Sequence, residues 1–175
     1  MGKLIFKYAT MNSGKTLDLI IRAYNYTETN KKIIVIKPNI DDKGDDKIVS
    51  RTGLEKKVDI LIKDNDSIID LLTHKIVDAK AILVDEAQFL NRHQIDELFV
   101  LSKALDIDVI CYGLRNNFKM EAFEGSIRLL EIADELDSFI SLCSCGNCAS
   151  YVGRKFKGIY ETDGKEIVID KLENQ

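Results

Sequence analysis

A strand, a short loop and a helix near the amino terminus form the feature that most constrains this chain. The loop segment Tyr8-Ala-Thr-Met-Asn-Ser-Gly-Lys-Thr16 nearly matches the phosphate-loop pattern G-x-x-x-x-G-K-S/T, with Ala9 in place of the first glycine. In such a loop, successive backbone N–H groups converge on phosphate oxygens at the positive end of the following helix. Gly14 allows the chain to approach closely, Lys15 reaches the β- and γ-phosphate oxygens, and Thr16 offers a hydroxyl to Mg²⁺.

A second, acidic motif follows later in the chain. The apolar run Ile82-Leu-Val84 ends in Asp85, as a strand does when it supplies a Mg²⁺-binding carboxylate beside a phosphate loop. The adjacent Glu86 can accept a proton from a nucleophile that attacks the γ-phosphorus. That nucleophile is water in an ATPase and an alcohol in a small-molecule kinase, and these two motifs do not decide between them. The predicted nucleotide-binding residues are Ala9, Thr10, Met11, Asn12, Ser13, Gly14, Lys15, Thr16 and Asp85.

Apolar runs alternate with amphipathic segments through residues 1–137. This alternation predicts βαβ units and a parallel sheet with right-handed crossovers. We therefore expect an α/β fold of the RecA-like P-loop NTPase type, with helices flanking the sheet. The predicted strands are 3–8, 32–37, 58–63, 80–86 and 108–114, and the predicted helices are 15–29, 67–74, 91–106 and 125–133. Asn91 is expected to cap the third helix, whose inward stripe is Ile95, Leu98, Leu101 and Leu105.

The pattern changes from residue 138 onwards. Strand-like runs at 138–142, 149–156 and 165–170 are no longer separated by helices. We expect an ATP-binding α/β domain at 1–137 and a small, shortened β-rich appendix at 138–175. Cys143, Cys145 and Cys148 cluster in this appendix, which suits a metal or redox site better than a disulfide framework.

The charge and hydropathy of the chain argue against several classes of protein. A formal net charge of −4 and a pI near 5.3 disfavour a binder of the nucleic-acid backbone, which needs a basic face. No apolar run approaches the length of a membrane span, and the amino terminus lacks a signal-peptide core. We therefore expect a cytoplasmic protein that acts on a small molecule, without nucleic-acid or membrane partners.

Two further motifs join the phosphate loop, in order along the chain. They are Val84-Asp-Glu-Ala-Gln-Phe89 and Cys111-Tyr-Gly-Leu-Arg-Asn-Asn-Phe118. Together the three motifs resemble the thymidine kinases of bacteria and of animal cytosol. The resemblance extends over about residues 3–169, and the family also has alanine at the position of Ala9. Shorter similar stretches are Ile40-Asp-Asp42, Ser50-Arg-Thr-Gly53, Ala133-Asp134 and Cys143-Ser-Cys-Gly146.

The resemblance implies ATP-dependent phosphorylation of deoxythymidine at its 5′-hydroxyl, giving dTMP for nucleoside salvage, by a homo-oligomer that is usually a tetramer. It implies that Glu86 is the general base and that Arg51 stabilises the transferring phosphoryl group. Lys15, Thr16 and Asp85 would handle the triphosphate and Mg²⁺. The residues implied to line the thymidine pocket are Met11, Phe89, Leu114, Phe118 and Phe123.

The chain departs from the family pattern in its last third. In the family, a cysteine pair such as Cys143 and Cys145 joins a second Cys/His pair to hold a structural Zn²⁺. Here Cys148 is an additional cysteine and the sequence stops at Gln175 before a second pair, so we expect the usual zinc site to be incomplete. The three cysteines remain candidate ligands of a Zn²⁺ that another group completes. The tail tyrosine that touches the substrate base has no match, and Asn117 stands where the family usually has aspartate.

Two other functions remain open at this point. Asp85-Glu-Ala-Gln88 also resembles a helicase box, although a P-loop ATPase acting on nucleic acid needs a second lobe and a basic cleft. A family member without the substrate-covering tail would bind ATP with little or no thymidine turnover. The intact Lys15, Asp85 and Glu86 favour turnover over a binding protein.

Overall fold

A six-stranded parallel sheet forms the centre of the molecule. The structure, a computed structural model, describes residues 1–40, 46–143, 145–156 and 159–161. Its strands are β1 (Leu4–Ala9), β2 (Ile33–Pro38), β3 (Lys47–Val49), β4 (Glu55–Lys57), β5 (Ile60–Ile62), β6 (Ala81–Val84), β7 (Asp108–Leu114), β8 (Glu135–Ser138), β9 (Lys155–Phe156) and β10 (Ile159–Tyr160). Its helices are α1 (Lys15–Glu28), α2 (Ile68–Leu72), α3 (Arg92–Ala104) and α4 (Glu124–Ile132), with a 3₁₀ turn at Ala87–Phe89.

The order of the strands brings three strand ends to one place. Across the sheet the order is β5-β2-β6-β7-β1-β8, and each neighbouring pair runs parallel. β7 therefore lies between β1, which leads into the phosphate loop, and β6, which leads into the acidic pair. Because parallel strands share one carboxyl edge, the segments that follow β1, β6 and β7 meet there. The predicted α/β fold with a parallel sheet is confirmed.

Two apolar layers hold the helices against the sheet. On one face α2, α3 and α4 cover side chains such as Phe6 and Ile82, and α3 contributes Leu98. On the other face α1 contributes Leu19 to a layer that includes Leu83. β6 is buried at all of its positions because both faces are covered, which explains its uninterrupted apolar run. Among the described helices, none has the length and apolar character needed to cross a bilayer.

Helix α3 begins where the sequence predicts, but one residue of its predicted apolar stripe is not buried. The Asn91 side chain accepts a hydrogen bond from Gln94 N at 2.9 Å, and Gln94 Oε1 accepts one from Asn91 N at 3.2 Å, which completes a capping box. The prediction that Leu105 faces inward is wrong, since it follows the last helical residue and is 43% exposed. The chain turns there, and Ile107 enters the core instead.

Ser138, the first residue assigned to the appendix, belongs to the main sheet. The predicted strand at 138–142 is wrong in position, because β8 spans Glu135–Ser138 and pairs with β1. All four residues of β8 are exposed, so backbone pairing at the sheet edge determines this strand, without an apolar pattern. The predicted strand at 149–156 shrinks to β9, which pairs with β10, and Ser150 O accepts a hydrogen bond from Arg115 at 3.3 Å. The predicted strand at 165–170 lies outside the described residues.

A short hairpin, β3–β4, has no counterpart among the predicted elements. Its strands pair antiparallel from Lys47↔Lys57 to Val49↔Glu55. Ile48 and Val58 belong to the same apolar layer as α1. One buried side chain among charged neighbours is too weak a periodic signal to identify such a strand.

Candidate active site

The phosphate loop has the backbone geometry that its sequence predicts. β1 ends at Ala9 and α1 begins at Lys15. Gly14, immediately before α1, has φ 84°, and Asn12 has φ 62°. A Cβ at Gly14 would meet nothing within 4 Å, so its left-handed backbone, not crowding, favours glycine there. No side chain caps α1 at this position, which leaves its first N–H groups directed at the loop.

The ammonium group of Lys15 lies inside the loop. Its Nζ donates to Thr10 O at 2.7 Å and to the Ser13 hydroxyl at 3.1 Å. Burial lowers the pKa of Lys15, and the carboxylates of Glu86 and Asp85 act in the opposite direction. This cation therefore lies between the phosphate loop and the acidic pair, where it can neutralise phosphate charge.

Asp85 directly follows β6 and is 6% exposed. Burial raises the pKa of its carboxyl to about 7, and the charge of Glu86 adds to the rise. A buried carboxylate of this kind fits a hard divalent cation, whose charge offsets the burial. The Asp85 carboxylate and the Thr16 hydroxyl in the first turn of α1 are the oxygen ligands that suit Mg²⁺.

Lys37 is a member of this charge cluster that the sequence motifs do not identify. Together with Lys15 it lowers the pKa of Asp85, against the effect of burial. Lys37 is the penultimate residue of β2, the strand paired with β6. Its position at the carboxyl end of a strand next to the acidic one is the signal from which it could have been found.

Glu86 has a backbone conformation that is uncommon for a residue other than glycine. Its φ is 51° and its ψ is 37°, and the 3₁₀ turn Ala87–Phe89 begins directly after it. Glu86 Oε2 accepts a hydrogen bond from Gln88 Nε2 at 2.6 Å. The sequence motifs identify Glu86 but assign no role to Gln88, which is 2% exposed.

Apolar side chains border the same edge of the sheet. Phe89 and Phe123 pack edge to face, with their ring centroids 5.5 Å apart. Leu114 ends β7, so it stands between the strands that carry the phosphate loop and the acidic pair. Met11 lies on the phosphate loop itself, and its side chain is 49% exposed. The structure thus brings a phenylalanine pair together and places Leu114 and Met11 on neighbouring segments.

The loop after β7 is held by one buried amide. Asn117 Oδ1 accepts hydrogen bonds from Lys119 N at 2.8 Å and from Glu121 N at 3.1 Å. Its Nδ2 donates to Glu121 Oε2 at 3.3 Å, a bond that an aspartate carboxylate would not make. Phe118 is buried in this loop, and the Arg154 guanidinium carbon lies 3.8 Å from its ring centroid.

Arg51, the residue expected to stabilise the transferring phosphoryl group, lies on a different segment from the phosphate loop and the acidic pair. It occupies the turn between β3 and β4, and its side chain is exposed. The largest charge effects on the pKa of Asp85 come from Glu86, Lys37 and Lys15. Among the described residues, no hydrogen bond or ion pair joins Arg51 to Asp85 or Glu86.

Known proteins match this chain over nearly its whole length. The family model described as thymidine kinase matches residues 2–171. The chain belongs to the thymidine kinase family. It is 40% identical over 172 residues to a thymidine kinase of Pasteurella multocida (strain Pm70), which covers 97% of this chain and 90% of that one. Thymidine kinases of Mannheimia succiniciproducens and Shewanella oneidensis are 38% and 36% identical, with 97% of this chain and 88% and 90% of theirs covered. The resemblance inferred from the motifs is confirmed.

Three cysteines form the candidate zinc site that the thymidine kinase resemblance implies. Cys143 is half-buried, whereas Cys145 and Cys148 are exposed, and none of them forms a disulfide in the described part of the chain. Asn147 Nδ2 lies 3.7 Å from Cys145 Sγ. Among the described residues, no group of three or more His, Cys, Asp or Glu side chains is arranged to hold a metal ion.

Proposed function

We propose that the protein transfers the γ-phosphoryl group of ATP to the 5′-hydroxyl of deoxythymidine, producing dTMP and ADP. The observation that carries the proposal is the meeting of a phosphate loop with the Asp85–Glu86 pair at one sheet edge. The carboxylates of Glu86 and Asp85 both raise the pKa of Lys15, so the three charged groups lie close enough to interact. Membership of the thymidine kinase family supports deoxythymidine as the acceptor.

Each group at the sheet edge has a proposed task on the nucleotide. The N–H groups of the loop and the Lys15 ammonium bind the phosphates of ATP and offset their charge. Thr16 and Asp85 hold Mg²⁺, which neutralises charge on the β- and γ-phosphates when it is bound. Arg51 stabilises the transferring phosphoryl group, which requires the exposed turn that carries it to approach the nucleotide.

The acceptor reacts on the opposite side of the γ-phosphorus. Its 5′-oxygen forms a bond to that phosphorus while the bond to the β–γ bridging oxygen breaks and ADP leaves. Glu86 accepts the proton of the 5′-hydroxyl, a task that suits a carboxylate beside the nucleotide. The residues proposed to line the thymidine pocket are Met11, Phe89, Leu114, Phe118 and Phe123.

The proposal is tested by following the label of γ-labelled ATP in the presence of Mg²⁺ and a panel of nucleosides. We expect label on deoxythymidine, and a loss of roughly 10²–10⁴ in rate for Glu86→Gln. Glu131→Gln makes the same change at an exposed carboxylate on α4 and serves as the matched control. Label released as free phosphate whatever nucleoside is present would indicate an ATPase. Tight ATP binding without turnover would indicate a binding protein, and either result contradicts the proposal.

Three further properties are proposed from the family resemblance. We propose that the protein is a homotetramer and that it is located in the cytoplasm. Sedimentation gives the mass of the protein in solution and so tests the number of subunits. A structural Zn²⁺ at Cys143, Cys145 and Cys148 would need at least one further ligand. Elemental analysis of the purified protein and of its triple cysteine-to-serine variant tests this site, because a bound zinc must disappear with the cysteines.

A further inference from the structure

The side chain of Gln88 makes one hydrogen bond at each end of its amide. Its Nε2 donates to Glu86 Oε2 at 2.6 Å. Its Oε1 accepts from the backbone N–H of Leu114 at 3.0 Å. Because Gln88 is buried, both polar ends need such partners, and neither is free to turn towards solvent. One amide thus joins the acidic pair after β6 to the last residue of β7.

The backbone around Gln88 leaves little room for it to move. A Cβ at Gly113 would lie 2.7 Å from Gln88 Oε1 and 3.2 Å from Gln88 N, so a larger residue in β7 would displace the Gln88 amide from this position. On the other side, a Cβ at Gly125 in α4 would lie 2.6 Å from Ala87 O and 2.5 Å from Leu90 O. The turn that carries Gln88 is therefore held closely between β7 and α4.

Glu86 is the residue whose carboxylate the Gln88 amide holds. Glu86 has several rotatable side-chain bonds, so its carboxylate can take more than one position unless a neighbour holds it. Gln88 is the hydrogen-bond donor that the described structure gives to its carboxylate. A displacement of about 1 Å in a reacting group can lower the rate of an enzyme by on the order of 10²-fold.

We propose that Gln88 is a positioning residue, which holds the Glu86 carboxylate at a fixed place relative to the end of β7. This inference rests on the proposed function, in which Glu86 accepts the proton of the acceptor and Leu114 borders the acceptor pocket. A single amide then determines how far the proton acceptor lies from that pocket. Gln88 touches neither reactant in this scheme and acts through Glu86.

Two substitutions separate the two hydrogen bonds of Gln88. Gln88→Met keeps the length of the side chain and removes both bonds. Gln88→Glu keeps an acceptor for Leu114 N–H and replaces the amide donor with a second carboxyl group, which competes with Glu86 for a proton. We expect both variants to lower kcat by roughly 10- to 100-fold, with KM for ATP within about two-fold of the wild-type value, because nucleotide binding does not involve the amide.

Gln94→Met is the matched control. Gln94 is an equally buried glutamine, and its Nε2 donates to Lys63 O at 2.9 Å and to Asp66 O at 3.1 Å. It holds a loop before α2 and does not touch Glu86. Gln94→Met is expected to lower the melting temperature while kcat stays within about three-fold of the wild-type value. A fall in kcat as large as in Gln88→Met would assign the effect to lost stability and overturn the inference.

A double-mutant cycle shows whether Gln88 acts through Glu86. In a Glu86→Gln background, Gln88→Met should lower the residual kcat by less than about three-fold, because the group that it positions is already absent. A purely structural role would lower kcat by the same factor in both backgrounds, and that outcome would contradict the inference. Gly113→Ala provides an independent route, since it displaces the Gln88 amide without changing its chemistry, and it should reproduce the fall in kcat.

The same measurements distinguish failure of the inference from failure of the proposed function. If the wild-type protein transfers no phosphate to any nucleoside, the proposed function fails before the variants are compared. If the wild-type protein and Glu86→Gln behave as proposed while Gln88→Met and Gln88→Glu keep the full kcat, only the positioning role is wrong.

Discussion

Glu86 combines a left-handed backbone with an acidic side chain at the end of a buried strand. For residues other than glycine this conformation costs about 1–2 kcal/mol, because Cβ approaches the following carbonyl oxygen. Such strain persists where the surrounding structure imposes it. Here the 3₁₀ turn that follows Glu86 is packed tightly between β7 and α4, which imposes the conformation. The backbone at this position would be more stable with glycine, whereas the proposed reaction needs a carboxylate.

This conflict leads to a prediction about stability and activity together. Glu86→Gly should be more stable than Glu86→Ala by roughly 0.5–1 kcal/mol, because glycine relieves the left-handed strain and loses part of that gain through its greater freedom when unfolded. Both variants should have lost phosphoryl transfer. Urea denaturation of the two variants measures the difference. If Glu86→Ala is equally or more stable, the left-handed conformation at this position is not a source of strain.

Lys15 is the residue whose charge is proposed to act directly on the phosphates of ATP. Lys15→Met keeps the length of the side chain and removes the ammonium that Thr10 O and Ser13 now hold. We expect kcat/KM for ATP to fall by on the order of 10²–10³, since a positioned cation at the phosphates is lost. Initial-rate kinetics provide the measurement, and Lys31→Met at an exposed position beyond α1 is the control. Equal effects at the two lysines would contradict a specific role for Lys15.

At the scale of elements, α3 is the helix whose start is most completely defined by its own sequence. Asn91 and Gln94 satisfy each other's backbone N–H groups, and Asn91 Nδ2 also donates to Asp64 O at 2.8 Å. Asn91→Ala should lower the free energy of unfolding by about 1 kcal/mol, because the N-cap acceptor is lost. Chemical denaturation measures this. Asn25→Ala, at an exposed position inside α1, should leave stability unchanged or slightly raise it. If the two substitutions have the same effect, the capping box does not contribute to stability.

Elements with a strong apolar pattern could be predicted from the sequence, whereas β8 and the β3–β4 hairpin could not. β6 is buried at every position and its run of apolar residues identifies it. β8 has four exposed residues and is defined by its pairing with β1, which no local pattern encodes. The β3–β4 hairpin buries Ile48 among charged neighbours and is missed for a similar reason.

The candidate site divides in the same way. Short sequence motifs identify Gly14, Lys15 and Asp85, because the chemistry of these residues depends on neighbours close in the sequence. The contact between Gln88 and Leu114 N joins residues 26 positions apart, and it requires a glycine at 113 to leave room. Such a contact depends on how β6 and β7 lie side by side, so it becomes visible only in the structure.

At the scale of the whole molecule, the segment after β8 is tied to the phosphate loop. Phe139 N donates to Tyr8 O at 3.1 Å, which continues the contact of β8 with β1. The hydroxyls of Thr10 and Ser141 form a buried hydrogen bond between the loop and this segment. The chain that follows the α/β core therefore contacts the phosphate loop directly, which links the two domains expected from the sequence.

The burial of Asp85 makes the stability of the whole molecule depend on pH. Its carboxyl has a pKa of about 7 in the folded protein against an ordinary value of 3.8, chiefly because burial disfavours the charged form. Between these values the folded protein holds a proton that the unfolded chain has lost. The stabilising contribution is therefore complete below the lower value and is lost as the pH rises through the higher one.

Asp85→Asn removes this dependence, because an amide does not titrate. Relative to the variant, the ligand-free wild-type protein should lose stability between pH 5 and pH 7, with a slope that approaches about 1.4 kcal/mol per pH unit. Above about pH 7 the difference should become constant. Urea denaturation of both proteins across pH 5–8 measures it, and Asp78→Asn at an exposed carboxylate should follow the wild-type curve. If the curves of wild type and Asp85→Asn run parallel over this range, the buried carboxyl does not hold its proton. In that case the folded protein would tolerate the charge on Asp85 before Mg²⁺ binds, with Lys15 and Lys37 as its counterions.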